Sequence, residues 1–202
     1  FIVGGGGKIH GYTEMLSKKL GISYYDKDII RMASDDSGIH ETLFGRVDEY
    51  SSAKPPLFKK ESIYTGDLIP PHSKEFTSDE NLFNYQAKTI RHLAETESCV
   101  IIGRCSNYVL KDYPNVLSVF IHASWEFRME KAAEKLSKTP REIEKFLQKD
   151  DKRKFEYCRR FTGKEWTDAT NYDLCLDSSK LGYDKCVEEI EHRLALLREK
   201  LN

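Results

Sequence analysis

The sequence predicts an α/β protein built on a five-stranded, doubly wound parallel sheet. Two continuous apolar runs of strand length, Cys99–Ile102 and 117–121, are typical of strands that are buried on both faces of a parallel sheet. Three further short strands are expected at residues 1–3, 22–25 and 172–176, and helical patterns separate all five. Because strands alternate with helices, the polar residues that follow the strands should line one ligand crevice.

The helices are predicted from their capping residues and their periodicity. The residues Thr-Ser-Asp-Glu at 77–80 form a capping-box pattern, and apolar side chains at helical spacing follow them, so a helix should begin there. Thr139 and Glu142 repeat this pattern around a proline, and that helix should run toward Tyr157. The remaining helices are expected at about 13–20, 28–33, from 124 onward, and 183–200.

Residues 38–78 interrupt this regular alternation. The segment contains two proline pairs, at 55–56 and 70–71, and its pattern fits neither a strand nor a long helix. A long irregular segment in a compact domain is usually disordered or a working lid. We interpret it as an insert on the substrate side of a single domain spanning residues 1–202, with some helix possible around 40–50.

Composition limits the classes of protein to which the chain could belong. Its 202 residues include 32 basic and 33 acidic side chains, so a formal net charge of −1 gives no global field that would attract nucleic acid or an anionic membrane. The longest apolar runs are too short to span a bilayer, and no signal peptide is recognised. The five cysteines lack a C-x-x-C pair, which favours reduced thiols in the cytoplasm over disulfides or a zinc site.

A run of four glycines, Gly4 to Gly7, and Lys8 follow the first apolar segment and precede a helix. Glycines allow backbone N–H groups to approach phosphate oxygens, and the helix N-terminus adds partial positive charge. We therefore predict a phosphate-binding loop for a nucleotide; the alternative is a structural turn. The loop departs from G-x-x-x-x-G-K-[ST], because Ile2 replaces the first glycine and Ile9 the hydroxyl residue.

Three polar side chains are candidates for substrate binding. Arg104 follows the third strand, where a planar guanidinium could hold a phosphate; the alternative is a salt bridge to a carboxylate at a strand end. Asp26 ends the second strand and could contact the substrate, orient a basic residue, or cap the next helix. Gln86 lies on the apolar face of its helix, where an unpaired amide would be costly, so it should have a partner such as a substrate base.

Two arginines are candidates for stabilising charge during phosphoryl transfer. Arg128 lies in the helix that begins near Ser124, and Arg153 belongs to a basic cluster near the end of the next long helix. Together they could close over phosphates as a lid spanning about 124–168. The alternative is a solvated helix face on which the neighbouring Asp150 and Asp151 pair with the cluster. The histidines and the cluster at 177–179 show no metal-ligand or triad spacing.

Taken together, these segments resemble the cytidylate kinase-like family of P-loop nucleoside monophosphate kinases. The residues that carry the resemblance are LGISYYDKDII at 20–30, FNYQ at 83–86, CVIIGRC at 99–105, VFIHAS at 119–124, DKRK at 151–154 and NYDLCLDSS at 171–179. The resemblance implies that Arg104 binds the monophosphate, that Asp26 lies at the acceptor pocket, and that Arg128 and Arg153 belong to the lid over ATP. We also assign Arg31, on the helix after Asp26, to substrate binding.

The resemblance implies a P-loop kinase that transfers the γ-phosphoryl group of ATP to a nucleoside monophosphate, with CMP or dCMP as the first candidate and Mg²⁺ bridging the phosphates. Gly4 to Gly7 and Lys8 would hold the donor, and Lys8, Arg128 and Arg153 would act in catalysis. At the glycine run the chain departs from the family's usual Gly-Ser-Gly-Gly. Two alternatives are a kinase for another small-molecule acceptor and a nucleotide-binding module without turnover.

Overall fold

A computed structural model describes residues 2–5, 10–49 and 63–201 of the chain, with side chains described from residue 11 onward. Five parallel strands pair in the order β2-β3-β1-β4-β5. Their bounds are β1 Ile2–Gly5, β2 Ser23–Tyr25, β3 Cys99–Ile102, β4 Leu117–His122 and β5 Leu174–Asp177. The α/β class predicted from the sequence is therefore confirmed, and the apolar run at Cys99–Ile102 forms a strand with the predicted bounds.

Helices connect these strands and cover both faces of the sheet. Their bounds are α1 His10–Leu20, α2 Asp28–Ser37, α3 Glu41–Val47, α4 Asp79–Thr96, α5 Ser106–Val109, α6 Trp125–Lys135, α7 Pro140–Thr162 and α8 Ser178–Leu201, and a 3₁₀ helix lies at Ala169–Asn171. The short helix α3 lies in the segment 38–78, within the part at 40–50 for which the sequence allows some helix. Residues 50–62 of that segment lie outside the described residues.

Alternate residues of β3 enter two different apolar clusters. Cys99 and Ile101 pack with α4 and α7 side chains such as Phe83 and Phe161, whereas Val100 packs with residues of α1 and α8. This alternation follows from the two-residue period of a strand, which sends successive side chains to opposite faces. A third cluster joins α2, α3 and α4 around Phe44. The helices cover both faces of the sheet, and because the strands are parallel, their carboxyl ends all lie on one side of it.

The helix caps largely follow the predicted chemistry. Thr139 and Glu142 form the capping box of α7, in which the Thr139 backbone N–H donates to Glu142 Oε2 over 2.8 Å. The start of α4 differs by one residue, since Ser78 and not Thr77 is the N-cap and its Oγ accepts from Asn81 N at 3.2 Å. Within the part of the chain described, no helix is long and apolar enough to cross a membrane.

Candidate functional site

The chain leaves the two adjacent central strands β1 and β4 in opposite directions. The chain leaves β1 toward β2 at one edge of the sheet, and it leaves β4 toward β5 at the other edge. Ligands of open parallel sheets bind in the crevice that forms outside the carboxyl ends of strands at such a switch point. β1 ends at Gly5 and α1 begins at His10, so Gly6, Gly7 and Lys8 of the predicted phosphate loop connect them but lie outside the described residues.

A cavity of about 930 Å³ opens beside this switch point. Its walls come from the first turn of α1, the carboxyl end of β4, helices α6 and α7, and the loop around Trp166. One wall is aromatic, because Phe120 of β4 packs edge-on against Trp166 with ring centroids 5.7 Å apart. Arg128, Lys131, Lys135 and Lys152 bring positive charge to the lining, and Asp150 and Asp151 bring negative charge. The volume falls within the range of small-molecule sites.

Arg128 lies in this lining and forms a bidentate ion pair. Its Nη1 and Nη2 donate to the two carboxylate oxygens of Asp151 over 2.9 and 2.6 Å. Asp151 belongs to α7, so this pair joins the two helices α6 and α7, which pack against each other. Ser124 caps α6 by accepting from Phe127 N at 3.2 Å, which fixes the start of the helix after β4. Asp151, which the sequence offers as a partner for the basic cluster of its own helix, thus pairs with Arg128 of the neighbouring helix.

Asp150 holds two cations of the same helix. Its carboxylate accepts from Lys154 Nζ at 3.0 Å and from Arg153 Nη2 at 2.8 Å. Burial raises the pKa of Asp150, but the Lys154 and Arg153 charges outweigh burial and hold that pKa below its usual value. Only 4% of the side chain of Lys154 and of Asp150 is exposed, so these two form the buried pair, whereas Arg153 is 20% exposed. The sequence pattern predicts a functional role for Arg153, whereas in the structure the neighbouring Lys154 is the more deeply buried cation.

Arg104 lies at the carboxyl end of β3 and is completely buried. Its Nη1 donates to Asp26 Oδ1 over 2.8 Å, and its Nε lies 3.2 Å from Asp48 Oδ1. Its backbone N–H donates to Glu49 Oε2 over 3.1 Å. Two carboxylates therefore contact the guanidinium, and a third accepts from the backbone N–H of the same residue. Burial raises the pKa of Glu49, an effect that the nearby Arg104 charge only partly offsets.

Gly103 makes this arrangement possible. Its φ is +67°, in the left-handed region that favours glycine, and a Cβ at this position would collide with the Glu49 carboxylate. Arg104 itself has a φ of +52° and Cys105 a φ of +53°, so the turn after β3 holds two non-glycine residues in a conformation that they rarely adopt. Such strained turns concentrate at functional sites, which favours a functional role for this loop.

The structure brings Asp26 and Arg104 together, because they follow the neighbouring parallel strands β2 and β3. Asp26 does not cap α2, whose N-cap is Lys27 without a side-chain hydrogen bond. Arg31 faces solvent on α2 and pairs with Asp35 over 3.8 Å, with 60% of its side chain exposed. Gln86 is completely buried, and among the described residues its amide nitrogen and oxygen have no hydrogen-bond partner. The binding roles of these residues remain predictions.

Sequence reasoning missed several groups at this edge. Asp48 and Glu49 lie in the segment that looked irregular, and no periodicity marks them as partners of Arg104. The Tyr157 hydroxyl is also buried and lacks a hydrogen-bond partner in the described part of the chain, while its ring packs against Phe83 at 5.9 Å between centroids. In the sequence, Tyr157 is marked only by its position among the apolar residues of α7, which predicts burial of its ring.

Comparison with known proteins assigns the chain to a family. A model of the cytidylate kinase-like family matches residues 3–180, so the chain belongs to the cytidylate kinase-like family. The family resemblance inferred from the sequence is therefore confirmed. A comparison with curated proteins finds no match.

Two solved structures share the fold. An uncharacterized protein from Eubacterium ventriosum superposes with a TM-score of 0.69 at 20% identity, covering 96% of this chain and 98% of that chain. A shikimate kinase from Bacteroides thetaiotaomicron superposes with a TM-score of 0.52 at 12% identity, covering 96% and 97% of the two chains. At these identities the similarity establishes the α/β fold alone.

Proposed function

We propose that the chain is a P-loop kinase that transfers the γ-phosphoryl group of ATP to a small-molecule acceptor. The observation that carries this proposal is the cavity of about 930 Å³ at the switch point, with an aromatic wall and four basic side chains, in a chain of the cytidylate kinase-like family. Phosphoryl transfer needs mainly positioning and positive charge, and this lining could supply both. In this proposal helices α6 and α7 act as the lid.

The cavity fits a nucleotide in both size and chemistry. The rings of Phe120 and Trp166 offer an apolar surface for a base, and Arg128, Lys131 and Lys152 offer charge for phosphates. Gly4 and Gly5 of the glycine run end β1 and pair with Val119 and Phe120 of β4, and the remainder of the predicted phosphate loop leads from this strand end to α1. In our proposal Lys8 contacts the donor phosphates, and Arg128 and Arg153 stabilise charge that develops during transfer.

Mg²⁺ is the expected metal, and it would neutralise charge on the phosphate oxygens. Among the described residues, no group of three or more His, Cys, Asp or Glu side chains could hold a metal ion. Mg²⁺ usually keeps several waters and binds through substrate phosphates with only one or two carboxylates.

A nucleoside monophosphate, CMP or dCMP, is the first candidate for the acceptor, with Asp26, Arg31, Gln86 and Arg104 as its binding residues. The buried amide of Gln86, which lacks a hydrogen-bond partner in the described residues, supports a ligand on this side. A second candidate is an acceptor without a phosphate group. The three carboxylates around Arg104 favour it, because a phosphate dianion at this guanidinium would have to compete with them.

A coupled assay of ADP release over a panel of acceptors tests the proposal. The panel should contain CMP, dCMP, UMP and AMP, the matching nucleosides, and hydroxylated carboxylic acids, each with ATP and Mg²⁺. ADP release with a monophosphate but not with its nucleoside would support the first candidate, and the reverse would support the second. ATP binding by calorimetry without ADP release for any acceptor would instead indicate a nucleotide-binding module.

A further inference from the structure

A second cavity, of about 350 Å³, lies at the opposite end of the sheet from the candidate site. Its lining includes Leu117 and Ser118, the first residues of β4, and Asp173, directly before β5. Side chains of α8 and of the loop after α5 complete it. None of the described residues lines both this small cavity and the large one. The volume lies near the lower limit of small-molecule sites, which span roughly 300–1,000 Å³.

Three basic side chains line the small cavity. Arg193 and Lys200 are seven residues apart on α8, so they lie on one face of the helix, and Lys111 comes from the loop after α5. Among the residues that the structure describes, none of the three forms an ion pair. The Nζ of Lys111 lies 4.7 Å from the centroid of the Tyr108 ring. These cations therefore remain without a carboxylate partner in the described part of the chain.

The carboxylate in the described part of this lining belongs to Asp173 and is held elsewhere. Its Oδ2 accepts from the Ser118 backbone N–H at 2.8 Å and from Ser118 Oγ at 2.6 Å. The Asp173 backbone N–H donates in turn to Ser118 Oγ over 3.0 Å. These bonds join the starts of β4 and β5, so this carboxylate has a structural role. The lining keeps a net positive charge, which favours an anionic ligand.

Apolar side chains also line the small cavity. Leu196 and Leu197 lie between the two cations of α8, and Leu110 and Val116 come from the segment between α5 and β4. Leu196 is 36% exposed, although leucine is a residue that gains free energy when it is covered. An inorganic anion would leave this apolar surface in water, whereas a ligand with an apolar body would cover it.

We propose that the small cavity is a binding site for a small organic anion, with a carboxylate or phosphate group on an apolar body. Arg193 and Lys200 bind the anionic group, for which a guanidinium can supply two parallel hydrogen bonds. Leu196 and Leu197 contact the body of the ligand. The site is distinct from the predicted phosphate loop and from the candidate acceptor residues, and its lining does not depend on the proposed kinase function.

The small cavity and the large cavity share an aromatic wall. Tyr172 lines the small cavity, and its ring stacks on Phe120 of the large cavity with centroids 5.0 Å apart. The Tyr172 hydroxyl also donates to the backbone oxygen of Trp166 over 2.8 Å. The 3₁₀ helix contributes Asn171 to the small cavity and Ala169 to the large one. An anion in the small cavity should therefore alter ATP binding, and this consequence alone rests on the proposed function.

The test is an NMR titration of the purified full chain, with labelled leucine and valine methyl groups, using phenyl phosphate as the probe. The expected result is saturable shifts at the methyl groups of Val116, Leu196 and Leu197. Phenol, which lacks the charge, should bind about tenfold more weakly. Inorganic phosphate, which lacks the ring, should also bind more weakly than phenyl phosphate. Benzoate shows whether a carboxylate or a phosphate group is preferred.

Two substitutions test the assigned cations. Arg193→Gln should weaken phenyl phosphate binding by about tenfold, because it removes a partly buried charge. Lys200→Gln should weaken it by about threefold, because this side chain is exposed. Arg198→Gln is the matched control, since Arg198 is an exposed arginine of the same helix outside the lining, and it should bind as the parent does. Circular dichroism verifies that each variant is folded.

The parent chain alone can overturn the proposal, so the result does not depend on whether a variant folds. Shifts confined to Leu136 and Leu147, which line the large cavity, would place the anion there instead. The absence of saturable shifts at any methyl group would also contradict the site.

Calorimetric titration with ATP, with and without phenyl phosphate, tests the shared wall. A change in ATP affinity that is absent in Arg193→Gln would support coupling between the two cavities, and an unchanged affinity would contradict it. If the chain binds no ATP at all, the proposed kinase function fails, whereas the anion site is still decided by the NMR titration.

Discussion

Arg104 donates a 2.8 Å hydrogen bond to Asp26, and both side chains are almost fully enclosed by protein, with exposures of 0% and 9%. This pair joins the ends of β2 and β3. Asp48 also contacts the guanidinium, and Glu49 accepts from the Arg104 backbone N–H. A lysine could not reproduce these contacts, because its single ammonium group cannot contact both Asp26 and Asp48 in the geometry of a planar fork.

Arg104→Lys should therefore lower kcat/KM by about tenfold or more, corresponding to roughly 1.4 kcal/mol, if the guanidinium positions the acceptor. ATP affinity should barely change. Steady-state kinetics with the active acceptor and calorimetric titration with ATP and CMP measure the two effects separately. If the variant binds CMP as tightly as the parent while ATP affinity collapses, Arg104 belongs to the donor side.

Gly103→Ala should destabilise the fold more than the same substitution at Gly38. Both glycines have positive φ, +67° and +72°, so both variants carry the cost of a left-handed alanine, about 1–2 kcal/mol. Only the Cβ at position 103 meets the Glu49 carboxylate, whereas no heavy atom lies within 4 Å of a Cβ at position 38. Urea unfolding followed by circular dichroism gives both values. Equal losses would show that the turn accommodates the methyl group.

Arg128→Ala should lower kcat more than it raises KM for ATP, because the proposed contact strengthens as charge develops during transfer. Asp151→Asn should tighten ATP binding. It removes the charged carboxylate that accepts from Arg128 at 2.6 Å, so the guanidinium becomes available to phosphate. Arg141, exposed at the start of α7, provides the control substitution to Ala. A pure KM effect of Arg128→Ala would assign this residue to ground-state binding. Arg153→Ala should resemble Arg128→Ala.

Asp150→Asn should lower the free energy of unfolding at neutral pH by roughly 3–5 kcal/mol, because it leaves Lys154 buried beside an uncharged partner. The pKa of Asp150 is lower in the folded state than in the unfolded chain. The stabilisation is therefore fully present above the ordinary carboxyl pKa of roughly 3.9 and is lost as the pH falls through the folded-state value. Urea unfolding of parent and variant over a pH series should show the two curves converging in acid. A constant difference would mean that the carboxylate charge is not responsible.

Lys8→Ala should weaken ATP binding or strongly reduce turnover, because an ammonium after four glycines is placed to contact donor phosphates. Lys18→Ala, an exposed lysine near the end of α1, is the matched control for loss of one positive charge. ATP titration and initial rates provide the measurements. Unchanged affinity together with unchanged turnover in the Lys8 variant would falsify the phosphate-loop assignment.

Local signals in the sequence predict the elements that depend on interactions between neighbouring residues. The apolar run before Gly103 fixes β3, and the Thr139 and Glu142 capping box fixes the start of α7, because both signals lie within a few neighbouring residues. The cap of α4 shifted from Thr77 to Ser78, since either hydroxyl residue has the required chemistry and only backbone geometry selects one.

The arrangement of the candidate site was harder to predict. The shared strand edge correctly placed Asp26 near Arg104, but Glu49 reaches the Arg104 backbone from a position 55 residues away in the chain. Neither residue spacing nor periodicity in the sequence predicts a contact between residues so far apart in the chain. The same limit applies to Lys154, because the five basic side chains near the end of α7 cannot be distinguished in the sequence, whereas in the structure Lys154 is the most deeply buried of them.

The central position of β1 also has a consequence for how the chain folds. Its residue Ile2 pairs with Val100 on one side and with Leu117 on the other, so both partners of this strand lie about a hundred residues away in the chain. Contacts between such distant segments slow folding, because the entropy of closing a long loop is lost before any pairing rewards it. During synthesis β1 must therefore remain unpaired until β3 has left the ribosome, and its second side stays unpaired until β4 follows. A folding assay that follows successively longer nascent chains should detect the strand Ile2–Gly5 becoming paired on both sides only after residue 122 is available.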